Sequence, residues 1–362
     1  MAGANSGRKT PQDDEASAPL GGAVDWSLAA KAGIKLARGG PAMSRYTAET
    51  ATAELAEASE RAELPVREVT GLADGLPVPA ADVLDRAGWI TAASRSMAHL
   101  TGADPDGSGN LIVGKPAGLQ AGAMLAYLSS AILGQYDPFT GEHGTLLLVT
   151  PNIVSVERSL RLNPSDFRLW VCLHEVTHRV QFSSSPWLAE YMKESVETLG
   201  ATVDESMTDV VGRLAAELRS RKEPDSSDGA TAGGIIGLLR ASQAEPQRDA
   251  LDRMLVLGTL LEGHADHVMD AVGPAVVPSV ATIRAAFDKR RQRKSNPVQR
   301  IIKMLLGMDA KMAQYVRGKA FVDAVVLKVG MEQFNTIWTG PETLPLLDEI
   351  DNPDAWVKRV LG

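Results

Sequence analysis

The chain has 362 residues, 44% of them hydrophobic and 5% aromatic, with a formal charge of -8. That is the composition of a globular protein able to fill a sizeable core, and its acidic balance argues against nucleic-acid binding. The only cysteine, Cys172, excludes an internal disulfide and any cysteine-rich zinc module, and it suits a reducing compartment.

Residues 1 to about 25 are small and polar, with proline, glycine and charges of both signs. They predict a disordered tail and carry no apolar run resembling a signal peptide. No stretch of 18 or more uncharged apolar residues follows, so no membrane span is expected and the expected setting is the cytoplasm. Residues 26–362 read as one domain, with the only candidate sub-boundary near residue 140.

Helical patterns dominate up to Leu133. "YTAETATAELAEASERAEL" predicts a helix closed by Pro65, "DVLDRAGWITAASRSMAHL" a second, and "AGLQAGAMLAYLSSAIL" a helix apolar almost all round and hence buried. "GQYDPFTGEHG" is rich in turn residues and reads as a loop. "TLLLVTPNI" is the clearest strand, and "SVERSLRL" a short helix. The fold class that follows is mainly α with a small β-sheet.

Asn163 can cap the next helix, Pro164 suits its first position and Asp166 its first turn. Phe167, Trp170, Val171, His174, Thr177, His178 and Gln181 then recur at helical spacing up to "SSSPW". Within this helix stands His174-Glu175-Val176-Thr177-His178. Positions i and i+4 lie about 40° apart, one turn up, so both imidazoles can face one metal ion. Glu175 can stand beside that ion without binding it and take a proton from metal-bound water, as H-E-x-x-H chemistry requires. The plainer alternative is two buried, hydrogen-bonded histidines on one helix face.

"KEPDSSDGATAGG", Lys222 to Gly234, reads as a flexible loop or lid, and a further helix is expected from about Gln247 to Val272. Inside the latter, "LLEGHADHVMD" offers a third ligand 84 residues beyond His178. Three readings stay open. Glu262 binds zinc while Asp266, on the same helix face, holds the outer nitrogen of a ligand histidine. Alternatively His264, about 200° round the helix from Glu262, is the ligand. Or the segment is an ordinary amphipathic helix.

The pair His174-Glu175-Val176-Thr177-His178 and Glu262-Gly263-His264-Ala265-Asp266 resembles the gluzincin pattern of zinc metallopeptidases. More closely, "LGQYDPF", "LLLVTPNI", "DFRLWVCLHEVTHRVQF", "LEGHADHVMD" and "GMEQFNTIWTGPETLPLLDEIDNPDAWVKRV" resemble the zincin-like metallopeptidases of type 2. These are largely uncharacterised actinobacterial proteins, sometimes labelled with deazaflavin-coenzyme biosynthesis. The resemblance implies a mostly helical zincin-like fold and one zinc ion per chain on the two histidines.

The reading is therefore a zinc-dependent hydrolase, a metallopeptidase acting on a peptide or protein substrate, with His174, His178 and Glu262 on the metal and Glu175 as general base. Its rivals are a zinc hydrolase of a small-molecule amide and a non-catalytic metal-containing scaffold. "TLLLVTPNI" could bind an extended peptide as an edge strand. Tyr315, His267 and Tyr191 are candidates for stabilising an oxyanion. Asp288 to Lys294, "DKRRQRK", reads as a solvated helix end, and Cys172 as a buried filler.

Overall fold

A computed structural model describes residues 24–107, 114–201, 245–292 and 308–362. The expected tail falls outside these except for Val24 and Asp25, and so does the expected lid. Asp25 is part of the fold, because its side chain accepts from the Leu28 N–H and so caps the first helix.

In chain order the described helices are α1 (Trp26–Leu36), α2 (Arg45–Thr70), α3 (Arg86–Leu100), α4 (Gly114–Leu128), α5 (Thr150–Leu160), α6 (Pro164–Ser184), α7 (Trp187–Gly200), α8 (Glu245–Val276), α9 (Val280–Gln292), α10 (Met308–Phe334) and α11 (Pro353–Val360). Three short strands, β1 (Asp82–Leu84), β2 (Gly134–Asp137) and β3 (Thr145–Val149), form one sheet in the order β1-β3-β2. β1 runs parallel to β3 and β2 antiparallel to it. The described chain is thus mainly helical with a small sheet, as its patterning implies.

Four local expectations are corrected. α2 does not stop at Pro65 but runs on to Gly71, which closes it in the left-handed region. Val66 and Ala62, both fully buried, anchor the helix on either side of the proline, so packing outweighs the lost hydrogen bond. "DVL" is a strand, and its helix begins only after the Asp85 cap. "GQYD" is a strand rather than loop, paired residue by residue with β3. α4 is not buried all round. It exposes Leu119 and Met124 and buries a face of small residues, where a Cβ on Gly122 would lie 2.6 Å from the Ala29 carbonyl oxygen of α1.

β3 is therefore the central strand, with a neighbour on each side, and cannot receive an added peptide strand. β2 is the outer strand that packs on α6. Residue 140 lies in the turn joining these two paired strands.

α6 runs through the core, between α2, α8 and the sheet. Phe167, Cys172, Leu173 and Val176 are wholly buried, each large side chain contributing about 1.5–3 kcal/mol of burial. Two buried ion pairs fix its rotation. Arg168 grips Glu157 of α5 at 3.0 and 2.9 Å, and Arg179 Nε donates to Glu63 of α2 at 2.7 Å. α8 crosses α10 backbone to backbone, since a Cβ on Gly263 would come within 2.6 Å of the Gly318 carbonyl oxygen.

Candidate metal centre

The Asn163 cap is in place, its side chain accepting from the Asp166 N–H at 3.2 Å. Three turns on, α6 turns His174 and His178 toward α8. Their rings stand 4.8 Å apart at 84°, with the two Nε2 atoms 3.3 Å from each other. Glu262 of α8 brings its Oε2 to 3.5 Å from His174 Nε2 and 3.9 Å from His178 Nε2. One potential ligand atom from each side chain fits within a 4.8 Å cluster. Two imidazole nitrogens and a carboxylate oxygen are a donor set suited to zinc. The three side chains are between 14% and 20% exposed, so the cluster is reachable from outside.

Electrostatics match that geometry. Burial is the largest influence on His174 and would lower its pKa. The hydrogen-bonded Glu262, with Glu175 and Asp266 nearby, outweighs it, and the pKa is raised. The site attracts positive charge at the histidine nitrogens.

Glu175 is buried and lies against the first residue of β2, where a Cβ on Gly134 would fall 2.6 Å from the Glu175 Cγ. It sits beside the cluster and is not one of its three members.

The outer nitrogen of His178, Nδ1, meets Gln181 Oε1 at 2.9 Å. Asp266 is held elsewhere: its Oδ1 accepts from Arg284 Nη1 at 2.5 Å. The reason is α9, which lays Arg284 over the Trp170 ring, 5.7 Å from its centroid, and so delivers a guanidinium to Asp266. Asp266 acts on the site through its field at His174. His264 is wholly buried outside the cluster, stacked on Phe334 with ring centroids 5.4 Å apart. Desolvation, helped by the charges of His267 and His178, pushes its pKa down to about 3.

The remaining candidates scatter. His267 Nδ1 pairs with Asp323 at 2.6 Å on the α10 side of α8. Tyr191 packs edge-on to Trp187, and burial raises its pKa. The side chain of Tyr315 and most of the basic run after Asp288 lie outside the described residues. Cys172 is fully buried and its thiol pKa is raised by desolvation, so it is filler rather than nucleophile. Sequence reasoning gave no role to Gln181, Gly134 or Arg284. Only Gln181 left a trace, as the last member of the inward stripe of α6.

Comparison with known proteins places nearly the whole described chain beside known relatives. The family model described as zincin-like metallopeptidase matches residues 24–357. A crystal structure from Chloroflexus aurantiacus, described as "a putative hydrolase with a novel fold", is 28% identical, with a TM-score of 0.64. The similarity covers 93% of this chain and 98% of that one. Among curated proteins, none matches.

Proposed function

The chain belongs to the zincin-like metallopeptidases, and from that premise we propose that it is a zinc hydrolase that cleaves peptide bonds. The family supports hydrolysis in general. The observation that carries the finer reading is the meeting of His174, His178 and Glu262, with Glu175 next to them and outside the set. A zinc ion held by those three side chains would polarise the scissile carbonyl and acidify a water molecule. Glu175 then accepts the water proton and passes it to the departing amine. Its burial against Gly134 keeps the carboxylate out of bulk water and holds it in one place.

Two features favour an extended substrate. β2 is the outer strand on the α6 side of the sheet, and an outer strand offers backbone groups that a peptide can pair with. It begins at Gly134, against Glu175. Two residues on, Tyr136 lines a cavity of about 240 Å3 together with Phe182, Ser183 and Pro186. A peptide lying along β2 would set a side chain there. The lone, buried cysteine supports a cytoplasmic setting. Among the described residues no helix is long and apolar enough to cross a membrane.

The test joins metal content to cleavage. Elemental analysis of the purified chain should find about one zinc, lost in His174→Ala and His178→Ala. In a proteome-derived peptide library, new amino termini should appear with wild type and vanish both with a chelator and with Glu175→Gln. That variant should keep its zinc and lose activity about a hundredfold or more. A zinc-loaded wild type that cuts no peptide would end the peptidase reading.

A further inference from the structure

Gln181 is fully buried, one helical turn beyond His178, and each of its polar atoms is engaged. Its Nε2 lies 3.0 Å from the Leu261 carbonyl oxygen and 3.0 Å from His264 Nδ1, and its Oε1 lies 2.9 Å from His178 Nδ1. A main-chain carbonyl can only accept. It therefore dictates which end of the amide faces α8: the NH2 group must point at Leu261, and the oxygen must point at His178. The reverse orientation would set two oxygens against each other in a buried space, which costs the full desolvation of both.

From this the protonation pattern follows. The amide oxygen accepts, so His178 must donate from Nδ1, which leaves the lone pair on Nε2. Nε2 is the atom that faces His174 and Glu262. The second amide hydrogen goes to His264 Nδ1, so the His264 ring carries its hydrogen on Nε2. That nitrogen is buried and has no hydrogen-bond partner among the described residues. Stacking holds the ring despite this cost, with Phe334 5.4 Å and Trp338 5.2 Å away between centroids. An orphaned N–H at this depth forfeits its solvation, and the return is an acceptor aimed at Gln181.

We propose that Gln181, oriented jointly by Leu261 and His264, is a positioning residue for the metal centre: it selects the His178 tautomer whose Nε2 can bind a metal, and it ties that ligand to the backbone next to Glu262. Leu261 immediately precedes Glu262, so one side chain fixes both the tautomer on α6 and the approach of the third ligand on α8. His264 acts one step further back, by holding the second amide hydrogen. The inference rests on the metal reading of the site.

The experiment uses the full chain labelled with 15N-histidine, freed of metal and held near pH 8, above the ordinary imidazole pKa of about 6.5. Long-range proton–nitrogen spectra identify the protonated ring nitrogen, and His178→Asn assigns the His178 signals. Wild type should show His178 protonated at Nδ1. Gln181→Met, which keeps the shape and removes every hydrogen bond, should give a mixture of tautomers. Its zinc affinity, read by competition with a chromophoric chelator, should fall about 10–100-fold, the usual loss for a partner behind a ligand. His264→Phe keeps the stack and removes the acceptor, so it should weaken zinc several-fold. In His264→Asn the amide oxygen can replace Nδ1 and should restore affinity to near wild type. A wild-type His178 protonated at Nε2 overturns the proposal, whether or not the variants fold. So does a Gln181→Met variant with unchanged tautomer and affinity. If His264→Asn is as damaged as His264→Phe, His264 has no part in the relay. A wild type that binds no zinc yet keeps the Nδ1 proton would refute the metal reading and uphold the relay.

Discussion

Gly134 leaves no room for a side chain beside Glu175: a Cβ there would lie 2.6 Å from the Glu175 Cγ and 2.8 Å from its Cδ. The first residue of the outer strand thus sets where the proposed base rests. Gly134→Ala should push the carboxylate aside while His174, His178 and Glu262 stay put. Displacements of about 1 Å commonly cost on the order of a hundredfold. The expected result is a kcat lowered by roughly 10–100-fold with zinc content and thermal midpoint near wild type. Unchanged kcat would show that Glu175 has no fixed place in the reaction.

Glu262 and His264 sit two residues apart on α8 with opposite surroundings, one in the cluster and one behind Gln181. Glu262→Ala should weaken zinc by more than the 10–100-fold typical of supporting residues. His264→Ala should weaken it less. A chelator-competition titration gives the order directly, and the reverse order would move the third ligand to His264.

On the proposed function protons and zinc would compete for His174, whose pKa is raised. Zinc affinity should therefore start to fall at a pH above the ordinary imidazole value as the solution is acidified. In the metal-free chain the same shift favours the folded state below pH about 6.5, and that contribution is lost as pH rises through the folded pKa. His264 acts with the opposite sign. Its pKa is lowered to about 3, so between there and about 6.5 the unfolded chain binds a proton that the folded one refuses. Stability should drop as pH falls across that window, by up to about 1.4 kcal/mol per unit from this residue. Urea midpoints measured against pH should show a shallower acid slope for His264→Asn than for wild type. Equal slopes would mean that His264 is not buried neutral.

Gly263 meets the backbone of Gly318 where α8 crosses α10. Gly263→Ala should overpack this crossing and cost about 1–3 kcal/mol. Because Glu262 is the neighbouring residue, zinc affinity should fall with stability. A stability loss with unchanged zinc affinity would show that α8 can shift without carrying its carboxylate.

The parts of the site governed by local rules could be read from the sequence. Asn163, Pro164 and Asp166 announce the start of α6, and the 3.6-residue period places both histidines inward. The same period puts Glu262 and His264 on different faces of α8. What failed to show were relations between distant segments. Gly134 reads as a turn residue until β2 is laid against α6. Asp266 reads as a partner for a histidine until α9 brings Arg284 to it. The centre of the sheet was equally hidden, because β1 is three residues long and its pairing with β3 spans more than sixty positions of chain. α2 passing through Pro65 shows the same limit, a local stop signal overruled by packing on both sides.

The two halves of the cluster are far apart in the order of synthesis. His178 and Glu262 are separated by 84 residues, roughly 4 to 17 seconds of ribosome time at ordinary rates. Through that interval the emerging α6 can offer a metal only two nitrogens. It also lacks the Leu261 carbonyl that orients Gln181. On the proposed function, firm loading would thus be confined to chains translated past α8, and a nascent protein stalled before that point would lose any zinc it held to stronger cellular chelators.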